Sequence, residues 1–152
     1  LRYKDAYQAL IMASLIERET PMQSERPKIA GVLLLRLRKG MRLQVDPTVK
    51  YAMNKPYSYR LKRSNLTYPS AYNTYLHYGL PPTPIALPSF SSIHAALHPD
   101  RDKVLYYVAN GDGSHTFSST FKQHKVAVQQ YRRVQKKLMQ QKKKTRETSA
   151  KE

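Results

Sequence analysis

Two glutamates near the start of the chain, Glu17 and Glu19, have the type and spacing that best suit acid–base chemistry. Residues two apart on a helix point about 200° from each other, so the two carboxyl groups cannot act on one substrate together. The negative end of a helix dipole and burial both favour the protonated form that a general acid needs. The pair therefore predicts at most one catalytic acid, and the alternative is a carboxylate that is solvated or paired with Arg18 or Arg26.

A second group of polar and aromatic residues lies at 72–75, with the sequence YNTY. Aromatic faces beside amide and hydroxyl groups suit sugar rings or nucleobases, and the alternative is ordinary packing of tyrosines. His115 follows a predicted hairpin turn, where side chains often line sites, and a structural hydrogen bond is its alternative role. His94 and His98 have the spacing of two zinc ligands, but no Glu lies between them, so we expect them at the surface.

The composition excludes some chemistry and favours anionic partners. The 152 residues include 27 Lys or Arg, 10 Asp or Glu and no Cys, with a net charge of +17. The absence of Cys excludes a thiol nucleophile and a Cys-ligated metal. A basic nucleic-acid-binding domain is one alternative, although no zinc-finger, ribonucleoprotein or helix-turn-helix signature accompanies the charge. The longest apolar stretch, 9–16, is far shorter than the roughly 20 residues of a membrane-spanning helix.

The elements that must position these residues follow from hydrophobic period and from capping residues. Asp5 and Gln8 resemble a capping box, which predicts a buried helix over 6–19 that ends before Thr20 and Pro21. The other predicted elements are a helix over 24–38, an extended segment over 41–45, a short helix over 48–53 after an Asp46 N-cap, a stiff proline-rich loop over 79–88, a helix over 91–98, strands over 103–109 and 115–117, and a last helix from 118 or 119.

These elements predict an α+β fold in which several helices accompany a small antiparallel hairpin. We predict one folded domain over 1–131. Residues 132–152 hold nine Lys or Arg and two Glu, which predicts a basic tail that is helical at first and then disordered. As a solvated electrostatic tether, this tail would bind an anionic surface in a salt-dependent way.

Several motifs occur in one characteristic order. They are ASLIERET at 13–20, RLRKGMRLQVDPTV at 36–49, YNTY at 72–75, GLPP at 79–82, LYYVA at 105–109, and then Gly111, Gly113, HTF at 115–117 and His124. The order resembles the endolytic murein transglycosylases of the YceG-like family over about residues 10–131. The resemblance implies the YceG-like α+β fold, no metal and no cofactor.

The resemblance also implies a reaction and its residues. It implies non-hydrolytic cleavage of the β-1,4 bond between N-acetylmuramic acid and N-acetylglucosamine, leaving a 1,6-anhydro end, with Glu19 as catalytic acid and base and Glu17 as the runner-up. Because the sugar's own C6 hydroxyl attacks C1, one carboxyl group suffices, which agrees with the scarcity of Asp and Glu. Other polar residues within the shared motifs would position the sugars or the glutamate. They are Arg36, Gln44, Asp46, Tyr72, Asn73, Thr74 and His115.

Location and partners follow from the same resemblance. It implies a catalytic region on the periplasmic or outer face of a bacterial inner membrane, with a single-pass anchor and a LysM-like region outside this sequence. The expected partners are peptidoglycan glycan strands, peptidoglycan synthases (penicillin-binding proteins) and an anionic membrane surface, and no nucleic acid. A non-catalytic peptidoglycan-binding relative is the other alternative. Departures from the family pattern, which we expect to alter hydrogen bonds or loop shape near the site, are Leu35, Thr83, Asn110, Ser114 and Lys125.

Overall fold

A computed structural model describes residues 3–150 of the chain, and these residues form helices and one two-stranded antiparallel sheet. This confirms the predicted α+β class. The elements are α1 (Ala6–Glu19), α2 (Arg26–Arg38), α3 (Asp46–Ala52), α4 (Phe90–Leu97), β1 (Tyr106–Ala109), β2 (His115–Ser118) and α5 (Phe121–Ser149), with 3₁₀ helices at Gln23–Glu25 and Arg63–Thr67. The chain divides into two compact units, of which the first ends at Leu105 and the second begins at Tyr106.

Helix α1 is the centre of the first unit and has the predicted bounds. Asp5 caps it by accepting a hydrogen bond from the Gln8 backbone N–H at 2.8 Å. Met12, Leu15 and Ile16 are completely buried, and α1 packs against α2, α3 and α4. Each fully buried side chain of this size contributes about 1.5–3 kcal/mol, so α1 is fixed on all sides and its last residue has a defined position.

Helix α2 begins two residues later than predicted, because a short 3₁₀ turn over Gln23–Glu25 precedes it. It ends as predicted, with Gly40 in the left-handed region at φ +64°. Gly31 allows the chain after α4 to approach closely, since a Cβ atom at this position would collide with the backbone oxygen of Asp100. This contact ties α2 to the segment that leads to the second unit.

The start of α3 differs from the prediction. Val45 occupies the N-cap position and Asp46 is the first helical residue, so the predicted Asp46 N-cap is wrong by one residue. The physical reason is that the Asp46 carboxylate accepts a hydrogen bond from the Tyr75 hydroxyl instead of from a helix N–H group. Thr48 supplies the side-chain contact at this end of the helix, because its hydroxyl donates to the Val45 carbonyl at 2.7 Å.

The second unit consists of the hairpin and α5. Its strands pair Tyr106 with Ser118 and Ala109 with His115, so β1 begins three residues later than predicted. Thr120 and Gln123 form a capping box at the start of α5. The helix continues through the predicted domain boundary at 131 and reaches Ser149.

The hairpin turn contains two of the positions that depart from the family pattern. The Asn110 side chain donates to the Ser114 hydroxyl at 2.9 Å, and the Ser114 backbone N–H donates to Asp112 at 2.9 Å. Asn110 also accepts a hydrogen bond from Thr116 at 2.7 Å. The two departures therefore contact each other within one turn.

Among residues 3–150, no helix combines the length and the apolarity needed to cross a lipid bilayer.

Candidate active site

The side chain of Glu17 is bound to the N-terminus of α4. It accepts hydrogen bonds from the Ser89 backbone N–H at 3.1 Å, from the Ser89 hydroxyl at 2.8 Å and from the Ser92 hydroxyl. The guanidinium group of Arg26 lies 3.6 Å away. Because Ser89 is itself the N-cap of α4, Glu17 joins the end of α1 to the start of α4.

The environment of Glu17 favours its ionised form. Burial raises the pKa of the Glu17 carboxyl, but hydrogen bonds from Ser92 and Ser89 and the positive charge of Arg26 outweigh burial and hold the pKa below its usual value. A carboxylate that accepts several hydrogen bonds and is ionised at neutral pH is suited to holding two helices together. It is poorly suited to donating a proton to a leaving group.

Glu19, the last residue of α1, has a different environment. It is half-buried and lies near a hydrogen-bonded pair in which the Tyr75 hydroxyl donates to the Asp46 carboxylate. The pKa of Tyr75 is raised, first by burial, then by the charge of Asp46 and the hydrogen bond to it, and then by the charge of Glu19, whereas Arg36 opposes the change. We call Glu19, Asp46, Tyr75 and Arg36 the Glu19 cluster.

Arg36 is the fixed cation of the Glu19 cluster. It is buried on α2, where its Nε donates to the Leu105 carbonyl at 2.7 Å, and its Nη1 donates to the carbonyls of Arg42 and Leu43 at 3.1 and 3.3 Å. The positive charge of Arg36 opposes the rise in the pKa of Tyr75, so this charge acts within the cluster. The cluster thus combines two carboxyl groups, a phenol that remains protonated and one immobile cation.

Thr74 connects the two chain segments that carry Asp46 and Tyr75. Its backbone carbonyl accepts from the Gln44 N–H at 3.2 Å, and its hydroxyl accepts from the Val45 N–H at 2.9 Å. The hydroxyl also lies 2.9 Å from that of Thr48. All of these groups except those of Gln44 belong to fully or almost fully buried residues, so Thr74 determines where α3 begins relative to residue 75.

Asn73 is also buried, and its amide is used by the backbone. Its Nδ2 donates to the carbonyls of Leu66 and Tyr68 at 3.0 and 2.8 Å, and its Oδ1 accepts from the Tyr75 N–H at 2.9 Å. These contacts close the turn before Tyr75. Sequence reasoning expected Asn73 to place the sugars or the glutamate, and its position fits placement of the site through Tyr75 rather than direct contact.

The remaining predicted residues are Tyr72 and Gln44 of the first unit and His115 of the second. The Tyr72 hydroxyl pairs with Thr83 at 2.8 Å, so this departure from the family pattern supplies a hydrogen bond in the first unit. Gln44 is exposed and has a left-handed backbone at φ +53°, which is uncommon for a residue other than glycine. His115 lies on β2 of the second unit, with its ring edge-on to Tyr107 at 5.5 Å between centroids.

Tyr75 is the residue of the Glu19 cluster that sequence reasoning did not assign a role. It stands in the YNTY motif, but its partner Asp46 is 29 residues away along the chain. Local periodicity carries no information about such a contact. The signal available was the lack of any Asp or Glu between Asp46 and Asp100, which makes Asp46 the nearest carboxylate on the N-terminal side of residues 72–75.

Metal ligation has little geometric support in the described part of the chain. Residues 3–150 contain no group of three or more His, Asp or Glu side chains that could hold a metal ion. His94 and His98 stack with their ring centroids 4.3 Å apart, and the Nδ1 of His98 lies 3.1 Å from the His94 carbonyl. The two imidazoles therefore contact each other face to face.

Comparison with known proteins identifies a family. The sequence model of the YceG-like family matches residues 1–130. The chain is 46% identical over 125 residues to a Bacillus subtilis (strain 168) protein named endolytic murein transglycosylase. The aligned region covers 82% of this chain and 34% of the relative. It is 33% identical over 105 residues to a protein of the same name from Streptococcus pneumoniae serotype 2 (strain D39). That aligned region covers 66% of this chain and 19% of the relative.

A solved structure gives the same relationship. The crystal structure of a YceG-like protein from Listeria monocytogenes matches with a TM-score of 0.76 and 41% identity, over 80% of this chain and 40% of that one. The chain thus spans about a third or less of the length of these curated relatives. A family match over most of the chain, together with relatives of this identity, shows that the chain belongs to the YceG-like family.

Proposed function

We propose that this chain is the catalytic region of an endolytic peptidoglycan lytic transglycosylase. The reaction is cleavage of the β-1,4 bond between N-acetylmuramic acid and N-acetylglucosamine within a glycan strand, with formation of a 1,6-anhydro end. The relatives' name, endolytic murein transglycosylase, supports the substrate class. The observation that carries the proposal is that Glu19 stands in a charged cluster, whereas Glu17 is used to hold α4.

In the first step, the Glu19 carboxyl group donates its proton to the glycosidic oxygen. The bond between this oxygen and C1 of the muramic acid breaks, and the N-acetylglucosamine leaves with a free C4 hydroxyl. In the second step, the C6 hydroxyl of the same muramic acid attacks C1, and the Glu19 carboxylate accepts the hydroxyl proton. Because the nucleophile is part of the substrate, the reaction needs no second carboxylate and consumes no water.

The neighbours of Glu19 would set the electric field in which these steps occur. Positive charge develops at C1 as the leaving oxygen departs, and the Asp46 carboxylate is the second negative group of the cluster. Tyr75 holds that carboxylate by donating a hydrogen bond. Arg36 fixes the opposite charge on α2, where three backbone carbonyls hold it. Asp46, Tyr75 and Arg36 therefore act as positioning residues in this proposal.

The test is mass spectrometry of the soluble products released from purified peptidoglycan. The parent chain should release muropeptides with 1,6-anhydro ends. Glu19→Gln should reduce their rate of formation by about 10²-fold to 10⁴-fold, because the general acid is lost. Glu17→Gln is the matched control, since it makes the same substitution two residues away and should retain most of the turnover per folded molecule. Circular dichroism and thermal melting establish that each variant is folded.

Three outcomes would contradict the proposal. Products with reducing ends would indicate a hydrolase. Equal turnover by the parent and by folded Glu19→Gln would exclude Glu19 as the acid. Binding of glycan strands by the parent without any products would indicate a non-catalytic peptidoglycan-binding protein.

Location and partners are part of the same proposal. Glycan strands lie outside the cytoplasmic membrane, so the proposed activity belongs on its outer face. There the enzyme would cut strands close to the peptidoglycan synthases that extend them. Anchoring to the membrane would hold the enzyme at that place.

A further inference from the structure

Helix α5 has a continuous basic face along most of its length. At about 100° per residue, seven cations fall within a sector of about 120°. All of them are exposed, and they are Lys122, Lys125, Arg132, Arg133, Lys136, Lys143 and Lys144. From the first to the last of these residues the face is about 33 Å long at 1.5 Å per residue. We call this set of seven the basic face.

The basic face points away from the hairpin of its own unit. The residues of α5 that are buried or half-buried, among them Ala127, Tyr131 and Gln135, lie on the opposite side of the helix. Gly111 in the hairpin turn packs against that side of α5, because a Cβ atom at this glycine would lie 2.9 Å from Gln135 and 3.5 Å from Tyr131. Within the second unit, the basic face is therefore not used for packing.

Little negative charge opposes these cations. The 29 residues of α5 contain ten Lys or Arg and one acidic residue, Glu147, whose carboxylate lies 3.9 Å from Lys143. Both side chains of this pair are largely exposed, so the pair neutralises only part of one charge. A row of cations with little opposing charge on one side of a helix is complementary to an extended anionic surface.

One exposed apolar side chain lies at each edge of the basic face. Val126 lies at one edge and is 50% exposed, and Met139 lies at the other edge and is 56% exposed. A bilayer surface accommodates this arrangement, because Lys and Arg reach phosphate groups while apolar neighbours enter the interface. A soluble polyanion offers nothing to the apolar edges. We propose that the basic face of α5 binds the surface of a bilayer that contains anionic phospholipid.

Vesicle co-sedimentation with the full chain tests this proposal independently of the proposed enzymatic reaction. Vesicles of phosphatidylglycerol and phosphatidylcholine should bind the chain at low salt, and vesicles of phosphatidylcholine alone should not. The triple variant Arg133→Gln, Lys136→Gln, Lys144→Gln should lower the partition coefficient about tenfold or more, since each cation near an anionic surface contributes to binding. Binding should fall as the salt concentration rises.

A matched control separates the face from the net charge. The triple variant Lys137→Gln, Lys142→Gln, Arg146→Gln also removes three charges, all from residues of α5 outside the basic face, and its partition coefficient should change less than about threefold. Equal losses in both triple variants would mean that net charge alone drives binding, which would overturn the proposal. Strong binding to phosphatidylcholine alone would also overturn it.

A second pair of measurements distinguishes a bilayer from a soluble polyanion. The double variant Val126→Ser, Met139→Ser keeps every charge and should weaken binding to anionic vesicles about threefold or more, because less apolar area enters the interface. Its affinity for a single-stranded oligodeoxynucleotide, the polyanion probe, should remain that of the parent. If the oligonucleotide binds more tightly than anionic vesicles and displaces them, the face is a polyanion site and the proposal is wrong.

Discussion

Glu17 and Glu19 are two residues apart and have opposite surroundings, which follows from helix geometry. Their side chains leave α1 about 200° apart, so one reaches α4 and the other the Glu19 cluster. The sequence predicts this divergence, because the 6–19 helix is strongly indicated by its cap and its apolar residues. It does not predict which glutamate meets which neighbours, because Ser89 and Tyr75 are more than 50 residues away along the chain.

Replacing Glu17 should alter stability in a pH-dependent way. Glu17→Gln should lower the free energy of unfolding by about 1–2 kcal/mol at pH 7, because charged hydrogen bonds to α4 are lost. Since the pKa of Glu17 is lowered in the folded state, its contribution is fully present above the ordinary glutamate pKa and is lost as the pH falls through the lowered value. The difference between parent and variant should therefore shrink below about pH 4.

Urea unfolding of both proteins between pH 3 and pH 7 measures this difference. Glu147→Gln on α5 is the control, since its exposed ion pair with Lys143 should contribute less than about 0.5 kcal/mol at any pH. A difference for Glu17→Gln that is constant with pH would show that the Glu17 charge does not stabilise the contact between α1 and α4.

At the scale of elements, the placement of the site depends on how α3 meets residues 73–75. Thr74 makes this connection through a buried hydroxyl that the Val45 N–H and the Thr48 side chain both contact. Thr74→Val keeps the shape and removes the acceptor, so it should lower the free energy of unfolding by about 1–3 kcal/mol. It should also reduce turnover more than the stability loss explains, because Asp46 at the start of α3 would shift relative to Tyr75.

Thr74→Ser is the matched control for this prediction. It keeps the hydroxyl and loses one methyl group, which costs about 1 kcal/mol, and the positions of Asp46 and Tyr75 should be preserved. Denaturant unfolding gives the stability of both variants, and initial rates at saturating substrate give turnover. If Thr74→Ser loses as much turnover as Thr74→Val, the hydroxyl is not what aligns the two segments.

How well each element could be predicted depends on whether its determinants are local. The bounds of α1 follow from Asp5 and from the proline after Thr20, and the structure confirms them. The start of α3 could not be derived, because the Asp46 side chain is taken by Tyr75 rather than by the helix. The 3₁₀ turn before α2 has no side-chain cap from which it could be predicted. Local capping residues can be recognised in a sequence, whereas competing hydrogen bonds from side chains distant in sequence cannot.

The whole molecule consists of two units with different kinds of stability. The first unit has the completely buried core of α1 and α2, whereas α5 in the second unit has Ala127 as its one buried residue among those described. Family resemblance extends to residue 130 and covers both units, but not the second half of α5. The site residues of the Glu19 cluster all belong to the first unit, and His115 belongs to the second.

Ending the chain after Gln135 should therefore leave the fold intact. Residues 136–149 are all exposed, so their removal takes no apolar surface from the core, and the Tm should change by less than about 3 °C. The truncation removes seven Lys or Arg and two Glu, which is five of the seventeen net positive charges. Turnover of short, soluble glycan oligomers should remain within about twofold of the parent, since no residue of the Glu19 cluster is affected.

The effect of the lost charge should be seen in the reaction with intact sacculi, which are anionic. At low salt, where charges interact over about 30 Å, the truncated chain should have a higher KM than the parent with little change in kcat. At about 1 M salt, where that distance is about 3 Å, the two KM values should converge. A large fall in Tm on truncation would mean that the end of α5 contributes to folding. A salt-independent rise in KM would mean that it contacts the substrate by something other than charge.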